Sequence, residues 1–315
     1  MENSFANLVR SKPRTSVSVV LATHNRPELM RKSLASILAQ EYDGPIEVII
    51  VFDKSPVDHS LEHTSPLRMV RTIANTRIPG LAGARNTGIL ASTSELVGFC
   101  DDDDTWLKFK LARQVEALEA SPDSEVASTA MQVVYNGTES IRLAGKRHVE
   151  YQDFLKSRMA MVHSSSLLFR RDKLINGIGL VEEGLPNSMC EDWDLLLRAS
   201  KRHPVLHVDE PYIRVLWGGT SYFYHHWDVK NQAHQWMLEN YPDILTNKVG
   251  SSRVFGQLAF GHAALKNPRK ALRWVKKSLK SNWREPRAYL ALAVASGLVS
   301  DQTVVHRLQR RGRGI

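Results

Sequence analysis

Four consecutive carboxylates, Asp101, Asp102, Asp103 and Asp104, follow an apolar run at 96–99 and Cys100, and precede Thr105 and Trp106. Like charges about 4 Å apart repel by ~1 kcal/mol in water and by ~4 kcal/mol at an effective dielectric of 20, so a cation belongs beside them. A strand that delivers such a cluster to its carboxyl end puts it where open α/β sheets bind ligands. Hard oxygen donors near a phosphate suit Mg²⁺ or Mn²⁺. The competing reading is a solvated loop whose last acid, Asp104, caps a helix carrying Leu107, Leu111, Val115 and Leu118 on one face. Capping uses one acid and leaves three unexplained. A second acidic group, Glu191, Asp192 and Asp194, sits between Cys190 and the triplet Leu195, Leu196, Leu197. One of these acids capping a helix is again the plain alternative, and a carboxylate that takes a proton from a hydroxyl is the functional one.

The elements that position these groups alternate strand with helix. Residues 17–21 form a short apolar run ending at Ala22, Thr23, His24 and Asn25, and Pro27 then opens a helix with Met30, Leu34, Ile37 and Leu38 on one face. After the break at Gly44 and Pro45, residues 47–52 read as a second buried strand ending at Asp53, and 68–73 as a third. Gly80 to Gly88 opens another helix, although its spacing matches neither the phosphate loop nor the dinucleotide fingerprint. The pattern predicts an α/β fold, a mainly parallel sheet flanked by helices. Asn25, Arg26, Asp53, Arg85, Asn86 and the Asp run then converge on one sheet edge, offering donors for a base, cations for phosphate and acids for a metal.

Composition fits a globular chain: 43% hydrophobic and 24% charged over 315 residues. Residues 1–14 are polar and mixed rather than leader-like, and the apolar stretch 288–299 is shorter than the ~20 residues that span a bilayer, so the expectation is a cytoplasmic protein. Two cysteines, Cys100 and Cys190, imply no disulfide framework. From residue 266 to the end there are 13 Lys or Arg against 2 acids, so the formal net charge of +9 belongs to that tail alone. A stripe of this kind suits an anionic membrane leaflet or an acidic partner, a solvated face being the default. Without interleaved aromatics of a known module, no nucleic acid is expected.

Four ordered segments, 18–26 (SVVLATHNR), 83–88 (GARNTG), 99–104 (FCDDDD) and 190–195 (CEDWDL), resemble the successive signatures of family 2 glycosyltransferases. The resemblance covers roughly 16–221. It implies the GT-A type fold of nucleotide-diphospho-sugar transferases, with a C-terminal helical appendage here. It further implies a nucleotide-sugar donor, a UDP-sugar foremost, a divalent ion (Mn²⁺ or Mg²⁺), and inversion at the anomeric carbon. Carried over by position, Asp53 contacts the base and Thr23 and Asn25 line the nucleotide, with Arg26 beside them. Arg85, with Asn86, lies near base and phosphates. Asp103 is the metal ligand, Asp101 meets the ribose or the metal's water shell, and Asp102 takes the variable middle place on the nucleotide side. Glu191 and Asp192 match the acceptor-side acids, with Asp192 ahead of Glu191 as general base. The chain departs from the family at Phe52, Lys54 and Ser55, where a second acid before Asp53 and a Gly-Ser after it are usual.

The division expected is an N-terminal extension at 1–15, a GT-A catalytic domain at 16–227 and a basic helical region at 228–315. The aromatic and glycine-rich segment 217–227 reads as a mobile lid, with core aromatics the plain alternative; His225 and His226 read as structural ahead of the alternative that one is an extra metal ligand. The segments opened by Pro268 and Pro286 resemble one tetratricopeptide-like hairpin. The acceptor implied is a glycan or a lipid-linked sugar, with peripheral contact to anionic membrane through the basic region and a homo-oligomer left open. A nucleotidyltransferase and a non-catalytic scaffold with a degenerate donor site are the competing classes.

Overall fold

The computed structural model describes residues 14–217, 226–311 and 314–315. Most of the segment read as a lid, His225 included, lies outside the described residues, as do 1–13 and 312–313. Strands β1 (Val17–Thr23) and β2 (Ile46–Phe52) are buried at every position, as a sheet covered on both faces requires. Alternation divides their side chains: Val20, Ile49 and Val51 enter one core, Val19, Leu21, Val48 and Ile50 the other. The remaining strands are β3 (His63–Thr64), β4 (Arg68–Ala74), β5 (Leu96–Asp101), β6 (Thr105–Trp106), β7 (Val126–Tyr135), β8 (Thr138–Arg142), β9 (His148–Val149), β10 (Leu168–Arg170) and β11 (Val205–Trp217). They form one sheet in the order β3-β4-β2-β1-β5-β10-β7-β11-β6, with β8 on β7 and β9 on β11. β4, β2, β1 and β5 are parallel, β10 is antiparallel to both its neighbours, and β7 and β11 are parallel again. The mainly parallel pairing that the pattern predicts holds from β4 to β5, and from β10 onward the sheet is mixed.

Helix α1 (Pro27–Leu38) starts on its proline and buries Met30, Leu34 and Ile37, as its periodicity predicts. Helix α2 (Leu81–Ala91) lies so close to β1 that a Cβ on Gly88 would collide with Val20 Cγ1. Helix α3 (Lys110–Glu119) begins later than the sequence suggests. Between it and the Asp run, β6 pairs with Ile213 and Arg214 of β11, so Asp104 caps no helix and Leu107 lies outside one. Then come α4 (Tyr151–Lys156), the single turn α5 (Arg171–Lys173) and α6 (Glu191–Arg202).

The C-terminal helices are α7 (Trp227–Asn240), α8 (Lys248–Ala264), α9 (Pro268–Ser281), α10 (Pro286–Ala295) and α11 (Asp301–Gln309). Val229, Ala233 and Met237 of α7 and Val254 and Leu258 of α8 enter the same core as Trp193 and Leu197 of α6. The later helices close a separate cluster around Trp227, Phe260, Val275, Ala288 and Val304. No helix among the described residues is long and apolar enough to cross a membrane.

Candidate active site

The carboxyl ends of β1, β2 and β5 open onto a cleft of about 540 Å³, bounded on its far side by the start of α6. The first wall is the acid run. A short turn at Ser164–Ser166 grips it: Ser164 Oγ donates to Asp101 Oδ2 (3.0 Å), the Asp101 amide donates to Ser165 Oγ (3.0 Å), and Ser165 Oγ donates to Asp104 Oδ2 (2.5 Å). From α1, Ser33 Oγ donates to the Asp104 carbonyl (2.5 Å). Thr23 Oγ1 donates to Asp102 Oδ2 (2.9 Å), and Arg26 Nη1 reaches Asp102 (3.3 Å) and Asp103 (3.0 Å).

These partners leave the run short of positive charge. Burial, reinforced by the Asp101 and Asp102 charges, lifts Asp103 to about 6. Burial also raises Asp102 and pushes Asp104 well above the usual carboxylate range. Asp101 alone is lowered: burial opposes its charge, but Arg85 and His163 outweigh it. Donor atoms of Asp101, Asp104 and His163 all lie within 4.8 Å of one another. A set of carboxylate oxygens with one imidazole, under-neutralised and facing a cleft, fits a hard or borderline divalent cation. Asp103, the expected ligand, stands apart from that trio against Arg26; it keeps 23% of its side chain exposed, whereas Asp104 is 1% exposed.

Arg85 is the hinge between the two walls. Its guanidinium, 2% exposed, donates from Nη2 to Asp101 Oδ1 (2.5 Å) and from Nη1 to Glu191 Oε1, and lies over the Phe99 ring. Sequence reasoning set it near base and phosphates; it lies instead beneath the two acidic groups, tying one to the other. Across the cleft, Cys190 adopts φ +71°, turning the chain so that Glu191 and Asp192 fall in the first turn of α6, where the helix dipole favours negative charge. Neither caps the helix by its side chain in the manner of a reciprocal box. Asp192 takes both oxygens to Arg158 Nη2 (2.8 and 2.7 Å). Burial raises its proton affinity, but Arg158 overcomes this and holds the carboxyl below its ordinary value. Glu191, pressed by burial and by the Asp192 charge, rises to about 7.

The other expected residues divide. Thr23, Arg26, Asp53, Asp101, Asp102 and Asp103 line the cleft with Glu191 and Asp192. Asp53 Oδ1 is held by Asn75 Nδ2 (2.8 Å), and Lys54, at φ +48°, lines the cleft next to it. Asn25 does not line it; exposed at φ +52°, it makes the turn into α1. Asn86 is likewise withdrawn: 1% exposed, it donates to the Val181 carbonyl (2.8 Å) and Glu183 (2.6 Å) and accepts from the Val181 amide (2.9 Å). Both ends of its amide are spent on the segment before α6, so the nucleotide contact expected of it is replaced by a packing role.

Arg158, His163, Ser164, Ser165 and Lys230 were not foreseen. The serine run at 164–166, immediately before an apolar strand, was the available signal. Lys230 lies over the Trp227 ring (4.2 Å), and burial with the Arg158 charge lowers it to about 8. Arg158, Lys230, Cys190 and Trp217 also border a second chamber of about 270 Å³, walled by Trp227, His234, Gln257 and Gln309.

The model of "Glycosyl transferase family 2" matches residues 18–177, from the first strand through the acid run to beyond β10. The chain belongs to glycosyltransferase family 2. The chain is 28% identical over 200 residues to the amylovoran biosynthesis glycosyltransferase AmsB of Erwinia amylovora, covering 59% of this chain and 64% of AmsB. It is 30% identical over 105 residues to WfaP of Escherichia coli, a UDP-Glc:alpha-D-GlcNAc-diphosphoundecaprenol beta-1,3-glucosyltransferase, covering 33% of this chain and 41% of WfaP. The chain thus spans less than two thirds of the length of either relative. Among solved structures, residues 1–349 of S. aureus TarS in complex with UDP-GlcNAc superpose with a TM-score of 0.58 at 16% identity, over 95% of this chain and 92% of that one. That likeness concerns the fold alone, a mixed α/β sheet flanked by helices with further helices at its C-terminal end.

Proposed function

We propose that this enzyme moves a sugar from a nucleoside-diphosphate donor, a UDP-sugar foremost, to a hydroxyl of a glycan or lipid-linked acceptor, with inversion. The observation that carries the reading is the opposition, across one cleft, of an under-neutralised acid run and an ionised carboxylate held by Arg158. Asp53 and Thr23, at the ends of β2 and β1, serve the nucleoside, and Lys54 meets a phosphate. Asp101 and Asp103 would hold a divalent ion, Mn²⁺ or Mg²⁺, with Asp104 and His163 beside them; such an ion stabilises charge gathering on the departing diphosphate. Both line the cleft, and Asp103 is favoured over Asp104 because it is the more exposed, whereas Asp104 is buried and already accepts from Ser165.

Asp192 is the general base. Its Oδ takes the proton of the acceptor hydroxyl as the new carbon–oxygen bond forms at the anomeric carbon and the bond from that carbon to the diphosphate breaks. Attack from the face opposite the leaving group inverts the centre in one displacement. Arg158 keeps Asp192 ionised at neutral pH and fixes its orientation. The second chamber, with two tryptophans and neutral amide groups and bordered by the Arg158 that holds Asp192, suits the rest of a sugar acceptor. The AmsB and WfaP names support work on a growing polysaccharide or on a lipid-diphosphate sugar.

Calorimetric titration with UDP, GDP, CDP and dTDP, with and without Mn²⁺, on the enzyme and on Asp103→Ala tests this. One nucleotide binding only with the metal, and not to the variant, is the expected result. Absence of binding by every diphosphate would remove the donor reading.

A further inference from the structure

Helix α9 buries Ala271, Val275 and Ser278. On the face opposite that stripe stand Arg269, Arg273, Lys276 and Lys280, spaced four, three and four residues apart, all exposed. Lys270 and Lys277 flank them, and no acidic residue occurs between Lys266 and Arg284. Among the described residues none of these six cations is in an ion pair; the next acid along the chain, Glu285, is buried and taken by Arg287. Bulky apolar groups accompany the charges. Leu272 is 45% exposed, and just past the helix end Trp283 is 66% and Tyr289 49% exposed. Tyr289 Oη donates to the Trp283 carbonyl (2.6 Å), and Arg284 lies over the Trp283 ring (4.8 Å), so the two aromatics form one fixed outcrop.

We infer that this face of α9, with Trp283 and Tyr289, docks on an anionic lipid bilayer, the cations on the headgroup phosphates and the Trp283 ring at the interface. Charge complementarity supplies the long-range attraction, and each Lys or Arg near such a surface strengthens partitioning about fivefold. The exposed Trp, Tyr and Leu decide between lipid and nucleic acid as the source of phosphate. Amphipathic rings settle at the headgroup level, and Lys and Arg stems lie along apolar surface while their heads stay in water. The inference deepens the reading of a membrane-borne acceptor but stands on residues separate from the cleft.

The test uses the full chain with phosphatidylcholine vesicles, with and without phosphatidylglycerol, in co-sedimentation and tryptophan-fluorescence assays. Binding to the anionic vesicles alone is expected, weakening as salt rises. The Arg269→Glu/Arg273→Glu/Lys276→Glu/Lys280→Glu variant is expected to lose at least tenfold in vesicle affinity. Trp283→Ala is expected to lose several-fold, together with the fluorescence shift on binding. Unchanged circular dichroism and UDP titration would show both variants folded. Equal binding of the parent to neutral vesicles, parent-level binding by the fourfold variant or by Trp283→Ala, or retention of nucleic acid in place of vesicles would each overturn the inference. Vesicle binding without any nucleotide binding would overturn the donor reading and leave this one standing.

Discussion

The two acidic walls of the cleft use the same residue types in opposite electrostatic settings. At 101–104 the carboxylates outnumber their cations: Arg85 lowers Asp101, while Asp102, Asp103 and Asp104 are all raised by burial and by one another. At 191–192 the two acids differ: Arg158 holds Asp192 ionised, whereas Glu191, which has only a share of Arg85, is raised to about 7 by burial and by the Asp192 charge. Crowding without cations makes a site that gains by taking one up, and pairing makes a site that keeps a fixed negative charge. The cleft separates cation affinity from basicity without changing the side chain.

The largest effect expected from breaking this contrast is at the paired wall. Asp192→Asn should lower kcat by about 10³-fold, the scale of a lost general base, while leaving UDP affinity near the parent value; single-turnover transfer and calorimetry separate the two. Next, Asp103→Ala should cost about 10²-fold in transfer, as for loss of one preorganised electrostatic contact, with most of the loss in metal-dependent donor binding. The same carboxylate sets a pH dependence. Its pKa is raised to about 6, so below that pH the proton competes with the ion, and Mn²⁺ affinity measured by calorimetry should fall as pH drops from 7 to 5. Arg158→Met removes the group that holds Asp192 low, leaving burial unopposed. The Asp192 pKa then rises, and the acid limb of the kcat profile should move up by about one pH unit or more. The smallest effect on activity is Asn86→Ala. It should destabilise the fold by ~1–3 kcal/mol through unsatisfied buried groups at Val181, seen as a lower midpoint in urea. Nucleotide affinity should stay within about twofold, and a larger loss would restore Asn86 to the donor site.

What the sequence revealed follows from the same physics. β1, β2 and β5 were legible because strands covered on both faces read as unbroken apolar runs, and the acids at their ends had no packing role to hide behind. Asp101 and Asp192 therefore stand out by type and place, and both line the cleft. Arg158 and His163 do not, because they come from an irregular stretch before β10 whose composition carries no period, and each matters only through a partner distant in the chain. Asn86 misled for a related reason: it belongs to a recognisable segment, but its bonds go to a backbone 95 residues away. The late start of α3 depended on β6 pairing with β11, a contact that no local pattern encodes.

The way α7 and α8 enter the main core bears on how the chain comes together during synthesis. Val229, Ala233, Met237 and Leu258 complete the layer over Trp193 and Leu197, and Tyr241 donates to Asp194 Oδ1 (2.5 Å). A nascent chain that has emerged only through β11 has all the carboxylates of the cleft but an uncovered flank behind α6, exposing apolar surface open to wrong contacts. Folding of the catalytic end thus waits for some forty further residues, about 226–264, and a stop codon in that interval should yield an aggregating product rather than a smaller enzyme.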